Sequence, residues 1–289
     1  MNRTALSPSR ILAAARALAA AVVLVSAGFV AVGCDISVGR AHELVITGST
    51  TVLPIAEISG KEFEESHPGE RVLVSGVGSS AGIEAVSKGT AAIGTSSRDL
   101  KDEEKGLGLF DTPVAYDAIV VIVNPANPVT GLTKDQVRAI FKGEITNWSE
   151  VGGPDESIGL VNRDEASGTR EAFFKIVMKK ERFADNAVIL PGTGQVRAVV
   201  GDAEGAIGYI SLGFVTPEVK ALAIDGVAPS PATVESGEYP VQRTLHAFTK
   251  GTPTGLAKEY LEYLLSTEVQ QGTVREAGFL PVRPKDAVR

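Results

Sequence analysis

Apolar and polar positions divide the chain into strands and helices that alternate almost from end to end. Leu44-Val-Ile-Thr47 reads as a first strand, and the helix after it sets Leu53, Ala56, Gly60 and Phe63 at three- and four-residue steps. Arg71-Val-Leu-Val-Ser75 is a second strand, followed by a helix from Ile83 to Ser87 that Gly89 closes. Ala91-Ala-Ile-Gly94 is a short third strand. Ile119-Val-Val-Ile-Val123 is the most β-branched run and predicts a central parallel strand buried on both faces. Asn124-Pro-Ala-Asn-Pro128 then breaks the chain twice. Beyond it, Thr133 and Gln136 predict a capping box for a helix that buries Val137, Ile140 and Phe141. Trp148 pins the next loop. Ile158–Val161 predicts a strand, Ala172–Met178 a helix, Thr193–Val200 a helix and Gly205–Ile210 a strand. Val219–Ile224 and Thr244–Thr249 read as strands returning to the first half, and Thr254 opens a helix with Leu256, Tyr260, Leu261, Leu264 and Leu265 as its apolar stripe.

Such alternation predicts an α/β architecture of mostly parallel sheets flanked by helices. The breaks near 124 and 218 predict two lobes, the first from 42–123 and 219–289, the second from 124–218, with a cleft between them.

The start of the chain follows a different pattern. Arg3, Arg10 and Arg16 precede an uncharged run of 17 residues, Ala17 to Gly33, which is short for a membrane span and reads as a secretory signal over residues 1–33. Cys34 is the one cysteine, so no internal disulfide forms, and Ala31-Val-Gly-Cys34 resembles a lipobox in which the cysteine is lipidated. Residues 34–41 would then be a lipid-anchored linker, with Asp35 suggesting retention at the inner membrane. Cleavage removes three of the 28 basic side chains and none of the 35 acidic ones, leaving a net charge of −10. That balance argues against nucleic acid, which requires clustered Lys and Arg. Any anion must be caught by local dipoles and individual arginines.

The candidate chemistry lies in four hydroxyl-rich turns between a strand and a helix. They are Gly48-Ser49-Thr50-Thr51, Gly76-Val-Gly-Ser79-Ser80, Gly94-Thr-Ser-Ser97-Arg98 and Arg163-Asp-Glu-Ala-Ser167-Gly168-Thr169. Each presents free backbone N–H groups at a positive helix end. Arg163 adds a planar donor fork suited to an oxyanion. The same residues also fit simple helix caps and solvated turns, and one segment alone does not decide between the two. Gly76-x-Gly78-x-x-Ala81 fits a dinucleotide fingerprint, and Gly78-x-Ser80-x-Gly82 fits the nucleophile elbow of an exported serine hydrolase. The first lacks a well-placed acidic partner, and the second would need His246 as its base. Asp117 sits at the mouth of the Ile119–Val123 strand, as a cap or as an acceptor for a protonated ligand.

Taken together, Gly48-Ser-Thr-Thr-Val-Leu-Pro54, Gly76–Gly82, Thr95-Ser-Ser-Arg98, Tyr116–Pro125, Phe141–Trp148 and Arg163–Thr169 resemble the substrate-binding lipoprotein of the bacterial high-affinity phosphate ABC transporter, a two-lobe type II periplasmic binding protein. The resemblance implies phosphate contacts from Thr50, Thr51, Ser79, Arg163, Ser167, Gly168 and Thr169. Ser49, Ser80, Ser97 and Arg98 complete the candidate set. It implies a monomer without cofactor or metal that is exported, held to the membrane by lipid on Cys34, and delivers phosphate to transmembrane permease subunits. A sensing or adhesion lipoprotein of the same fold is the alternative. Where longer relatives carry an Asp that accepts the ligand's proton, this chain has Ser97, and the acceptor role passes to Asp117.

Overall fold

The structure, a computed structural model, describes residues 42–282. The signal segment, the linker and Cys34 therefore lie outside the described residues.

The strands are β1 (His42–Gly48), β2 (Glu70–Gly76), β3 (Ile93–Ser96), β4 (Leu109–Val123), β5 (Gly131–Leu132), β6 (Gly159–Arg163), β7 (Val188–Leu190), β8 (Ala206–Ser211), β9 (Lys220–Ala221), β10 (Ala223–Ile224) and β11 (Gln242–Lys250). One sheet runs β2-β1-β3-β11-β4-β8-β6-β7, with β9 beside β4, and β10 pairs with β5. The helices that matter for the site are α1 (Leu53–Ser66), α2 (Ser79–Lys88), α3 (Lys134–Lys142), α4 (Gly168–Ile176) and α5 (Thr193–Asp202). The capping box at α3 forms as its spacing predicts, with both reciprocal bonds between Thr133 and Gln136. Trp148 is fully buried and donates its indole N–H to the carbonyl of Gly205.

The sheet is parallel at both ends, where β1 joins β2 and β3 and β6 joins β7 and β8. Its middle is antiparallel. The run Ile119–Val123 is central, as its composition predicts, but it lies antiparallel to β8 and β9. The apolar run reports burial on both faces, which helices on either side impose whatever the strand direction.

A single strand, β4, serves both halves of the molecule. Leu109–Ala118 pairs with β11, and Ile119–Val123 pairs with β8. The apolar cores separate at the same place: one holds Leu44, Ile46, Ile93, Val114, Ala115, Leu245 and Leu261, the other Ala118–Val123, Phe141, Trp148, Phe173 and Tyr209. Val219, Leu222, Ile224, Val234, Tyr239 and Val241 pack in the second core, although the sequence reading returns the chain to the first lobe at 219. The pairing of β9 with β4 and β10 with β5 keeps them there. The chain thus changes core within β4, near Ala118, and again at Val241–Gln242, and Leu280 near the end of the described residues packs in the second core once more.

Candidate functional site

The carboxyl ends of β1, β3 and β6 converge, as expected where a sheet changes connection. From β1 come Ser49, Thr50 and Thr51. Helix α2 opens on Ser79, and β3 ends on Ser96 and Ser97. From the other core, β6 supplies Asn162 and Arg163, and α4 opens on Gly168 and Thr169 behind the N-cap Ser167, whose side chain accepts from the Arg170 amide. The Gly168 and Thr169 amides are the first two of their helix and have no intrahelical acceptor. The Gly168 position is tight: a Cβ there would meet Ser79 Oγ at 2.2 Å and Ser97 Oγ at 2.7 Å. Gly78, at φ +101°, likewise lets α2 begin against Ala166.

Hydroxyls from the two cores meet in pairs. Thr51 Oγ1 lies 3.2 Å from Thr169 Oγ1, and Thr50 Oγ1 lies 3.0 Å from the Oγ1 of Thr193, the first residue of α5. Ser79 Oγ lies 3.3 Å from Ser97 Oγ and accepts the Ser97 amide.

An arginine stands behind each threonine pair. Arg163, 1 % exposed, donates Nη2 to Thr50 Oγ1 at 3.2 Å and Nη1 to Thr193 Oγ1 at 3.0 Å. Its Nε and Nη2 also donate to the carbonyls of Leu190 and Pro191. Every one of these acceptors is neutral, and among the described residues no carboxylate lies within 4.0 Å of its guanidinium. Burial pushes this guanidinium below its ordinary pKa, Tyr209 and the nearby Asp164 carboxylate oppose the shift, and the charge of Arg243 adds to it. Its backbone amide is held by Asn162 Oδ1, which also accepts from Tyr209.

Arg243, from β11, donates Nη1 to Thr169 Oγ1 at 2.8 Å and to the carbonyl of Ser97, and Nη2 to Thr51 Oγ1 at 3.4 Å. Its other side meets Asp117 Oδ2 through Nε at 2.9 Å and Nη2 at 2.8 Å. Burial raises the Asp117 carboxyl and lowers the Arg243 guanidinium, and their contact opposes both shifts.

The structure therefore gathers Thr50, Thr51, Ser79, Ser97, Arg163, Ser167, Gly168 and Thr169 about one junction. It turns the remaining candidates elsewhere. Ser49 Oγ accepts the Thr51 and Val52 amides and shapes the turn. Ser80 Oγ accepts from Arg98, whose guanidinium is engaged by both oxygens of Glu104. Asp117 is turned toward Arg243: Ser211 Oγ donates to its Oδ1 at 2.7 Å, and Arg243 meets its Oδ2 through Nε and Nη2. These three contacts occupy most of the roughly four lone-pair sites of a carboxylate. The hydrolase constellation is not assembled either, because His246 is flanked by Asp111 and Asp99 and Ser80 is held by Arg98.

Two members of the junction escape the sequence reading. Thr193 follows Pro191-Gly192 at a helix start, the same small-residue and hydroxyl signal that marks the other turns. Arg243 lies in a stretch that reads as connector, and only the pairing of β11 with β4 places it opposite Asp117.

Among known proteins, a family model described as a PBP superfamily domain matches residues 36–268. The chain is 37% identical over 250 residues to the phosphate-binding protein PstS of Bacillus subtilis, covering 85% of this chain and 83% of that one. It is 29% identical over 249 residues to the PstS of Borreliella burgdorferi, covering 82% and 89%. Of solved structures, one from Clostridium perfringens, titled a phosphate ABC transporter substrate-binding protein with bound phosphate, superposes with a TM-score of 0.81 at 38% identity, over 84% of this chain and all of that one. An ABC-type phosphate transport receptor from Vibrio cholerae gives 0.71 at 33% identity, over 83% and 100%.

Proposed function

Because this chain belongs to the PBP superfamily and, within it, to the family of the phosphate-binding proteins PstS, we propose that it binds inorganic phosphate outside the cytoplasm and hands it to the permease of an ABC transporter. The observation that carries the reading is Arg163: a buried guanidinium whose acceptors are all neutral. Burying a cation with no carboxylate in contact is costly, and an anion arriving in the cleft offsets that cost. The amides of Gly168 and Thr169 and the hydroxyls of Thr50, Thr51, Ser79, Ser97, Ser167 and Thr169 supply the remaining donors. Closure of the two halves around the ion would replace its water shell and present a loaded face to the permease. The role is binding and release, with no covalent step. The N-terminal run ending in Cys34 supports a lipid anchor, and among the described residues no helix is long and apolar enough to cross a membrane.

Calorimetric titration of the purified protein with phosphate tests the reading. Binding is expected, and Arg163→Ala should weaken it by about 2 to 5 kcal/mol, as for other buried charge partners. Near-normal affinity in that variant would remove Arg163 from the site, and silence from the unaltered protein would remove the function.

A further inference from the structure

We propose that Tyr209, buried in the second core, is a positioning residue of the oxyanion site: acting through Asn162, it sets the strand end from which Arg163 reaches the ligand. The inference rests on the phosphate-binding reading and adds to it a residue that lies outside the converging turns.

The need for such a residue arises in the sheet. Strand β6 pairs with β8 only at Gly159–Ala206 and Leu160–Ile207. Beyond Leu160 its ladder continues on one side alone, to β7, ending with Arg163 opposite Leu190. The Arg163 amide donates to the side chain of its own neighbour, Asn162 Oδ1, at 2.8 Å.

Tyr209 closes the gap. It lies on β8 two residues beyond Ile207, as Asn162 lies on β6 two beyond Leu160, and its hydroxyl donates to the same Oδ1. A side-chain bond thus takes over where the backbone ladder stops. Two donors on one amide oxygen fill both its lone pairs and fix which way the Asn162 side chain faces. Asn162 and Tyr209 are both buried, so a lost donor is not replaced from solvent and leaves Oδ1 short of a partner.

The tyrosine ring is itself held. Phe173 lies parallel to it at 4.1 Å between centroids and 5° between planes, and Phe141 meets it edge-on at 5.5 Å. Phe173 belongs to α4, the helix whose first amides are Gly168 and Thr169. One ring therefore registers both the strand that carries Arg163 and the helix that carries those amides. Burial raises the Tyr209 phenol above its ordinary pKa, so it stays protonated and remains a donor.

A buried phenol with a partner serves stability in any core. Here its bond begins a chain that ends on the site: Tyr209 to Asn162, Asn162 to the Arg163 backbone, and the Arg163 guanidinium to Thr50 and Thr193.

The test is a double-variant cycle. Phosphate is titrated into the unaltered protein, Tyr209→Phe, Arg163→Ala and the two combined, at a temperature where circular dichroism shows all four folded; where calorimetry lacks the range, the rise in thermal midpoint at high phosphate replaces it. Tyr209→Phe keeps the ring stack and should weaken phosphate binding by about tenfold, the scale of one stranded buried acceptor. In the Arg163→Ala background the same change should cost less than about twofold, because the group it positions is gone. Unchanged affinity in Tyr209→Phe overturns the proposal. A tenfold loss that persists without Arg163 overturns it as well, since the hydroxyl then supports the core at large. If Tyr209→Phe does not fold, Asn162→Ser carries the same cycle with the same two readings. Absence of phosphate binding by the unaltered protein would instead overturn the functional reading on which the inference rests.

Discussion

Two arginines from different strands reach the same junction, and their counter-charges differ. Arg243 has Asp117 at 2.8 Å, whereas Arg163 has only neutral oxygens. The site thus carries one cation in contact with a carboxylate and one whose contacts are all neutral, with Asp164 acting on it only from beyond contact distance, an arrangement that suits an anion arriving from solution. Removing Asp117's charge tests this division of labour. Asp117→Asn leaves Arg243 buried and unpaired and should destabilise the fold by about 3 to 5 kcal/mol in urea titration. Replacing both partners by apolar residues of similar size should cost less than the single change, because no buried charge is then stranded. His246 offers a separate check away from the site. Burial works against its charge, but Asp111 at 2.8 Å and Asp99 at 3.2 Å outweigh burial and raise its pKa from 6.5 to about 9. A raised pKa means that the folded state holds the proton more tightly than the unfolded chain. Its contribution is therefore complete below the unfolded value and is lost as pH rises through about 9. Between those limits the protein should lose on the order of 3 kcal/mol relative to His246→Gln, measured as the difference between their urea midpoints across that window.

At the scale of elements, helix ends do the assembling. Helices α2 and α4 start against each other across the junction, with Ser80's amide bonded to the carbonyl of Ala166, and glycine is what lets them approach. Gly168→Ala separates assembly from stability. Its Cβ would strike Ser79 and Ser97 of the other half, while at the first position of α4 the helix itself tolerates alanine in place of glycine. Phosphate affinity should fall by at least tenfold, about 1.4 kcal/mol, with the thermal midpoint little changed. A matched loss of both would mean that the close approach serves folding instead of closure.

For the molecule as a whole, charge opposes the ligand. The chain carries a formal net charge of −7, so its far field repels phosphate and only the local donors attract it. Phosphate association should accordingly speed up as salt is added and the field is screened over a Debye length of about 10 Å at 0.1 M. A rate that falls with salt in stopped-flow measurements would show that the cleft's own field dominates at a distance.

Much of this is written locally in the sequence. Apolar periodicity announced the order of strands and helices, the Thr133–Gln136 spacing announced its capping box, and the run of small residues and hydroxyls after each strand announced which turns could take an anion. These are local properties, decided by side-chain type and by residues a few positions apart. Strand direction was not local: Ile119–Val123 is apolar because both its faces are covered, and that holds for either direction of pairing. Nor was the partner of Asp117. Arg243 lies far along the chain, and only the register of β11 on β4 brings the two charges together. The chain by itself determined which groups could meet an oxyanion; the tertiary structure decided which of them still had a hydrogen bond to give, because a lone pair can be filled from any strand the sheet places beside it.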